Sequence, residues 1–209
     1  TGPHPGIGTA IARGFRELGS TIAHVRQYRT LVMFLLAYWF YIDGVNTIIK
    51  MAVDYGIALG FDAGKLIIAL LITQFVGFPA ALVFGWLGDR IGARTGVLIG
   101  IAAYIGITTY AYFMSNATEF FALAVAVGLV QGGVQSLSRS MFGRLVPEGK
   151  AAEFFGFFNM LGKFATFFGP LLMGLVNYYT NDARASILSL LVLFIVGGVL
   201  LLRVPAGGR

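Results

Sequence analysis

The sequence has no cysteine and unusually few charged residues. Without cysteine the chain has no disulfide framework, no thiolate metal ligand and no thiol nucleophile. Charged residues make up 11% of its 209 residues, whereas a soluble domain carries about 25% because its surface must be wetted. A surface with less than half the usual charge faces something other than water, and lipid is the alternative.

Other absences argue against enzymes and nucleic-acid binders. The two histidines, His4 and His24, lie outside the long apolar segments and far from any carboxylate cluster. The sequence contains no metal-ligand spacing, phosphate-binding loop or nucleophile elbow. We therefore predict no catalytic residue, no metal and no cofactor, and a protein that is not an enzyme. The net charge is +6, but the basic residues are divided among short loops instead of forming one stripe, so we expect no nucleic-acid partner.

Long apolar segments are what the sequence does contain. A helix needs about 20 mostly apolar residues to cross a bilayer. Five uninterrupted segments and one earlier segment with three charges predict spans at about 31–59, 64–87, 95–114, 118–140, 153–177 and 184–203. The runs are continuous and do not alternate, so strands are not expected. The predicted fold is an all-α membrane protein whose residues 30–209 form a six-helix bundle in a lipid bilayer.

The basic residues predict the orientation of this bundle. Lys65 and Arg184 fall at one end, and Lys50 and Lys163 lie inside spans. The other eleven fall at the opposite end: Arg13, Arg16, Arg26, Arg29, Arg90, Arg94, Arg139, Arg144, Lys150, Arg203 and Arg209. Because basic loops stay on the cytoplasmic side, we expect both termini in the cytoplasm. We also expect a multi-pass protein of a bacterial inner membrane.

Residues 1–29 are predicted to be a cytoplasmic linker. Its apolar residues recur at spacings of four and three: Ile11, Phe15, Leu18, Ile22 and Val25. This pattern fits an amphipathic helix on the membrane surface, and it equally fits a basic linker helix that packs on protein. The chain begins with Thr1 and not with Met, so we expect it to start inside a longer protein.

The first span carries a polar stripe. Its members stand at positions i, i+3, i+4, i+7 and i+11: Asp43, Asn46, Thr47, Lys50 and Asp54. This spacing places them on one side of a helix, and ionisable groups in a membrane face protein or water and are functional by default. We expect a transport cavity in which Asp43 binds a substrate amine or a proton and Lys50 binds a carboxylate. The structural alternative is that a buried Asp43–Lys50 pair, or pairs of these residues with other helices, fixes packing.

Two more spans carry polar residues that could line this cavity. Gln131 and Gln135 lie one turn apart in the fourth span, where they either line a pathway or hydrogen-bond across a helix contact. Asn159 and Lys163 stand at i and i+4 in the fifth span. Lys163 has no nearby acidic residue on its own helix, so its partner comes from another helix, with Asp43 a candidate, or from a substrate or water.

Prolines interrupt the second and fifth spans at corresponding places. Gly77-Phe78-Pro79 and Phe168-Gly169-Pro170 each lie about midway along a span, and a proline inside a helix kinks it. Matching interruptions at Pro79 and Pro170 predict a repeat of three plus three helices with inverted topology. Proline is also common in membrane helices without any repeat.

A glycine-rich loop joins the second and third spans. It runs Gly85-Trp86-Leu87-Gly88-Asp89-Arg90-Ile91-Gly92-Ala93-Arg94. Gly92 permits a tight turn, and Asp89 can hold a helix N-terminus or an arginine across an interface. We predict a cytoplasmic gating motif of Gly85, Asp89, Arg90, Gly92 and Arg94. The alternative is a short cytoplasmic loop that simply collects arginine.

This loop resembles the motif between the second and third helices in each half of the major facilitator superfamily. Ala93 stands where a basic residue is usual. Further segments are similar to the C-terminal half of its UMF1/Atg22-like branch. They are Asp43-Gly44-Val45, residues 131–140, residues 147–158, Gly162-Lys163 and Gly169-Pro170.

The resemblance implies half of a twelve-helix fold, completed by a missing N-terminal six-helix half. The rival expectation is that a second copy of this chain takes the place of that half. The resemblance also implies a secondary transporter, symporter or antiporter, that moves a small polar solute by alternating access. An amino acid and proton coupling are the expectations for that solute and its driving force. The alternative function is a non-transporting assembly or signalling subunit whose buried charges are structural.

Overall fold

The structure, a computed structural model, describes residues 14, 16–17, 19–23, 25 and 28–205. From residue 28 onward these residues form helices joined by short turns, without a strand. We number the helices α1 (Arg29–Ala58), α2 (Ala63–Ile91), α3 (Ala93–Phe113), α4 (Ala117–Leu145), α5 (Ala151–Phe164), α6 (Phe168–Thr180), α7 (Ala183–Leu188) and α8 (Leu190–Arg203). Helices α5 and α6 together form the fifth apolar span, and α7 and α8 form the sixth.

Six helical segments are long and apolar enough to cross a membrane, as predicted. Helix α4 extends five residues beyond the predicted end of the fourth span and ends at Leu145. It continues because Met141 and Phe142 are buried and prolong the apolar face of Val134 and Leu137. Arg139, which the sequence places at the cytoplasmic end of the fourth span, therefore lies within the helix, before its last turn.

The N-terminal linker is described only in part. Most of the predicted amphipathic helix lies outside the described residues, including Ile11, Phe15 and Leu18. Of its apolar positions, Val25 is buried and Ile22 is 45% exposed. The two histidines and the basic residues Arg13, Arg26 and Arg209 also lie outside the described residues.

Helix α1 lies at the centre of the bundle. Of its most apolar 18-residue stretch 56% is buried, more than in any other described span. It packs closely on α8, where glycines bring the helices together. A Cβ atom added to Gly44 would lie 2.8 Å from the ring of Phe194, and one added to Gly197 would lie 2.8 Å from the backbone nitrogen of Tyr41. The polar stripe of α1 is thus held on a well-packed helix.

Helices α2 and α4 make the most extensive contact in the bundle. Gly128 and Gly132 of α4 stand four residues apart and face the backbone of α2. A Cβ atom on Gly128 would lie 2.7 Å from the carbonyl oxygen of Thr73, and one on Gly132 would lie 2.6 Å from that of Gly77. Small residues at this spacing let membrane helices approach backbone to backbone.

The second and fifth spans leave most of their surface uncovered. In their most apolar 18-residue stretches 22% and 17% of the residues are buried, against 39% to 56% in the other four spans. Large apolar side chains on these two spans are exposed, among them Phe75, Phe78, Leu82, Phe167 and Leu171. The six helices therefore do not bury these two spans by themselves.

We predict that Gly132→Val destabilises the folded protein. The added side chain meets the carbonyl oxygen of Gly77, which belongs to a helix backbone and cannot rotate away. Overpacking of this kind costs about 1–3 kcal/mol. The measurement is the thermal unfolding temperature of the full-length protein in detergent. The control is Gly106→Val in α3, where an added Cβ atom has no neighbour within 4 Å. Equal unfolding temperatures for the two variants would contradict the prediction.

Candidate functional site

The fifth span is broken in the middle. Helix α5 ends at Phe164 and α6 begins at Phe168, with Ala165, Thr166 and Phe167 in turns between them. Pro170 is the third residue of α6, where a helix has no use for the missing backbone N–H. A continuous helix would set the proline ring against the carbonyl of Thr166, four residues earlier, so the sequence breaks the helix there.

The carboxylate of Asp43 binds the start of α6. Its Oδ2 accepts a hydrogen bond from the backbone N–H of Phe168 at 2.9 Å, and its Oδ1 accepts one from Gly169 at 3.0 Å. Thr47 Oγ1 donates to the same Oδ1 at 3.2 Å. The first N–H groups of a helix have no partner within it and carry a partial positive charge. Asp43, only 1% exposed, thus has its charge compensated by backbone groups.

Asn46, one turn along α1, binds the end of α5. Its Nδ2 donates hydrogen bonds to the carbonyl oxygens of Ala165 at 3.1 Å and Gly162 at 3.4 Å. These carbonyls belong to the last turn of α5 and to the break, where helical partners are missing. We call Asp43, Asn46 and Thr47 the α1 clamp, because Asp43 and Asn46 satisfy backbone groups on both sides of the break and Thr47 hydrogen-bonds to Asp43.

Glycine is required where the clamp meets α6. A Cβ atom on Gly169 would overlap the side chain of Thr47 and would lie 2.9 Å from Asp43 Oδ1. Gly162 has a similar role on α5, since its Cβ atom would lie 2.7 Å from the hydroxyl of Tyr38. The Gly-Pro sequence that predicts an interruption therefore also permits the close approach of α1.

Beside the clamp lies a polar cleft of about 370 Å³ between α1, α4 and α5. It is lined by four of the predicted cavity residues and by Arg139, Tyr38, Ile42, Phe158 and Gly162. The four predicted ones are Asn46, Gln135, Asn159 and Lys163. In the cleft the guanidinium of Arg139 donates to Asn159 Oδ1 at 3.3 Å. Tyr38 and Phe158 stack with ring centroids 4.3 Å apart and supply an apolar wall.

Three predicted cavity residues stand elsewhere. Asp43 does not line the cleft, since its carboxylate is buried against the break and already holds three donors. Lys50 is exposed and lies outside the cleft lining, and no described carboxylate is paired with it, so the Asp43–Lys50 pair is not formed. Gln131 is partly buried, and its Oε1 atom has no hydrogen-bond partner among the described residues.

Arg139 is the residue of the cleft that sequence reasoning missed. The distribution of basic residues places it at the cytoplasmic end of the fourth span, as an indicator of topology and not as a cavity residue. The signal that would have found it is the apolar spacing Val134, Leu137, Met141, which continues the helix past position 139. The preceding residue, Ser138, is fully buried and shares a 2.7 Å hydrogen bond with the hydroxyl of Tyr41, which fixes α4 against α1 at this level.

Helix α2 continues without a break through Pro79. The two predicted interruptions thus differ, because only the fifth span is divided into two helices. A kink of α2 at Pro79 stays a prediction, as does the inverted repeat.

The predicted gating loop is compact. Gly92 alone separates α2 from α3, with φ of +86°, a conformation that favours glycine. Asp89 lies 3.9 Å from Arg144 at the end of α4, but their side chains are 79% and 50% exposed, so this ion pair is weak. Arg90 lies over the ring of Trp86 at 3.9 Å from its centroid.

Arg94 makes the firmer contact of this loop. Its Nε donates to the carbonyl oxygen of Leu201 at 3.3 Å, and its terminal nitrogen binds the carbonyl of Leu202. These carbonyls belong to the last turn of α8, whose partners within the helix are missing. Arg94 therefore links the start of α3 to the end of the sixth span. Gly85, also part of the predicted gating motif, makes no close helix contact, since an added Cβ atom there meets no described neighbour within 4 Å.

The described residues hold no group of His, Cys, Asp or Glu that could bind a metal ion.

Comparison with known proteins gives one consistent family. The family described as "Vacuole effluxer Atg22 like" matches residues 2–207. An uncharacterised MFS-type transporter, YxiO, of Bacillus subtilis (strain 168) is 45% identical over 195 residues, which are 93% of this chain and 46% of the relative. Autophagy-related protein 22 of Yarrowia lipolytica (strain CLIB 122 / E 150) is 29% identical over 195 residues, covering 88% of this chain and 33% of that protein.

A third relative, autophagy-related protein 22 of Saccharomyces cerevisiae (strain YJM789), is 28% identical over 209 residues, covering 88% of this chain and 39% of that protein. The chain thus spans less than half the length of the curated relatives it matches. The expected resemblance is confirmed: the chain belongs to the Atg22-like family of MFS-type membrane transporters.

Proposed function

We propose that the complete protein is a secondary active transporter and that this chain is its C-terminal half. It moves a small polar solute, with an amino acid as the first candidate, by alternating access and with proton coupling. The observation that carries the proposal is the broken fifth span, clamped by α1 beside a polar cleft. Broken helices near the middle of the membrane are characteristic of transporter sites, because their free backbone ends bind solutes and ions.

Polar groups exposed along the spans support a cavity on this side of the bundle. Lys50, Gln135, Asn159 and Lys163 are exposed on apolar helices. Such groups do not face lipid, since they would lose their hydration without a partner. We propose that they face a water-filled space shared with a second six-helix unit, either the preceding half of the same protein or another copy of this chain.

Further elements of the proposal concern topology. The six spans form two sets of three related by an inverted repeat, the membrane is a bacterial inner membrane, and both termini are cytoplasmic. The excess of basic residues at one end of the bundle supports this orientation. Asp89 with Arg144 and Arg94 with α8 lie at that end, where they would hold a cytoplasmic gate.

The rival function is a non-transporting membrane subunit whose buried charges only fix assembly. It is favoured by one observation, that Asp43 is fully engaged in structural hydrogen bonds. A structural carboxylate, however, leaves the exposed polar cleft without a role.

We expect the full-length protein in proteoliposomes to accumulate a labelled amino acid when a pH gradient is imposed. Accumulation should disappear when a protonophore collapses the gradient, because the driving force is then lost. The measurement is time-dependent uptake of individual amino acids, with sugars and organic cations as comparison solutes. Empty liposomes are the control. If the protein binds one of these solutes but takes up none of them, the result would favour the rival function of a non-transporting subunit.

We expect Asp43→Asn to lose proton-driven accumulation. Protonation turns one carboxylate oxygen from an acceptor into a donor, so it breaks a hydrogen bond at the start of α6 and loosens the break. An asparagine cannot change in this way. The variant should retain solute exchange without a gradient, which separates loss of coupling from loss of folding. The control is Asp54→Asn, an exposed carboxylate near the far end of the same helix. Wild-type accumulation by Asp43→Asn would remove Asp43 from coupling.

We expect a second six-helix unit to cover the second span. A spin label at Phe78, 74% exposed in this chain, should be poorly accessible to oxygen in the full-length protein, because protein would replace lipid around it. A label at Ile195 of α8, also exposed, should stay accessible and is the control. This chain has no cysteine, so a single labelled position requires only that any cysteine in the rest of the full-length protein is replaced by serine. Equal oxygen accessibility at both positions would show that Phe78 faces lipid.

A further inference from the structure

The cleft beside the α1 clamp is cationic. Arg139 and Lys163 line it, and no acidic side chain of the described residues does. Asp43 does not line the cleft, and its carboxylate accepts hydrogen bonds from the first N–H groups of α6 and from the hydroxyl of Thr47. Neither Arg139 nor Lys163 forms a salt bridge with a carboxylate of the described residues. Two positive charges therefore meet in a cleft without a described counter-ion.

Arg139 is positioned but not neutralised. Among the described residues its side chain donates one hydrogen bond, to the neutral amide oxygen of Asn159, whereas a guanidinium has five N–H donors. Burial of Ser138 and its bond to Tyr41 fix the helix at this point. The planar fork of an arginine suits the two oxygens of a carboxylate, and a positive charge inside a spanning bundle calls for an anion or for water.

We propose that Arg139 and Lys163 bind the carboxylate of the transported solute and that Asn159 positions Arg139. This rests on the proposed transport function and narrows its substrate to solutes with a carboxylate. The cleft offers no acidic side chain to a solute amine, so this half of the protein recognises the anionic group alone. A carboxylate without an amino group therefore binds this cleft as tightly as the corresponding amino acid does.

The test is solute binding to the full-length protein in nanodiscs of phosphatidylcholine, measured by thermal shift and by equilibrium dialysis. The probes are matched sets on the same carbon skeleton: amino acid, amino-acid amide, des-amino carboxylate and decarboxylated amine. One set is L-phenylalanine, L-phenylalaninamide, 3-phenylpropionate and phenylethylamine, and the alanine and leucine sets accompany it. We expect only the two carboxylate-bearing members of a set to bind. Binding of amides or amines as tight as that of the carboxylates, or binding of no member, would overturn the proposal.

Variants test the residues. Loss of a hydrogen-bonded charge should weaken carboxylate binding roughly tenfold to a hundredfold in Arg139→Gln. Asn159→Asp places a near-isosteric carboxylate against the guanidinium and should weaken binding comparably, without lowering the unfolding temperature. Arg203→Gln removes an exposed arginine outside the cleft and should bind as the wild type does. Unchanged binding by both cleft variants would overturn the proposal.

Two further measurements distinguish the proposed solute site from a lipid-headgroup site and from a site that binds a solute without transport. Nanodiscs with phosphatidylglycerol show whether an anionic lipid headgroup is the occupant: if Arg139→Gln alters lipid retention but not solute binding, the solute site is refuted. Uptake of the same probes into proteoliposomes separates the site from the proposed function. Arg139-dependent carboxylate binding without uptake would retain the site and reject transport, whereas uptake of amides and amines would retain transport and reject the site.

Discussion

The hydrogen bonds from the α1 clamp to the broken fifth span are the constraint on which the rest of this structure depends. Hydrocarbon offers no hydrogen-bond partner, so backbone groups freed by a break must be satisfied by protein or by cavity water. Asp43 takes the N–H groups at the start of α6, and Asn46 takes the carbonyls at the end of α5. Because α5 packs mainly on α1, these bonds also hold the fifth span to the bundle.

The clamp divides the charges of the site unequally. A carboxylate at a helix N-terminus is stabilised by the partial positive charge there, so Asp43 needs no lysine or arginine. Lys163, for which the sequence offers Asp43 as a partner, is then left to the cleft, where it stands with Arg139 and with the amides of Gln135 and Asn159. The carboxylate of Asp43 is thus bound by backbone groups of the fifth span, whereas the cations Arg139 and Lys163 line the cleft. This separation is the physical basis for expecting anion recognition.

Much of the fold could be predicted from sequence, because bilayer thickness and the cost of burying charge act on short, continuous segments. Six spans and the buried face of the first follow from these rules alone. The partners of Asp43 do not, since they are backbone N–H groups that every residue carries and that become available only where a helix breaks. Pro170 with Gly169 indicated the break but not that α1 would fill it. The role of Arg139 is missed for a different reason: a basic residue at the end of a predicted span indicates the membrane surface, whereas burial of Met141 and Phe142 continues the helix past it.

The position of the break also bears on how binding and coupling would be connected. Asn46 belongs to both features, since its amide binds the end of α5 and it also lines the cleft. Lys163 lies on the last turn of α5, two residues before the carbonyl of Ala165 that Asn46 holds. In the proposed mechanism, a solute bound by Lys163 therefore acts on the same turn that the clamp secures. In the same mechanism, protonation of Asp43 releases α6 while the solute holds α5. The proton therefore acts on the helix after the break, and the solute acts on the helix before it.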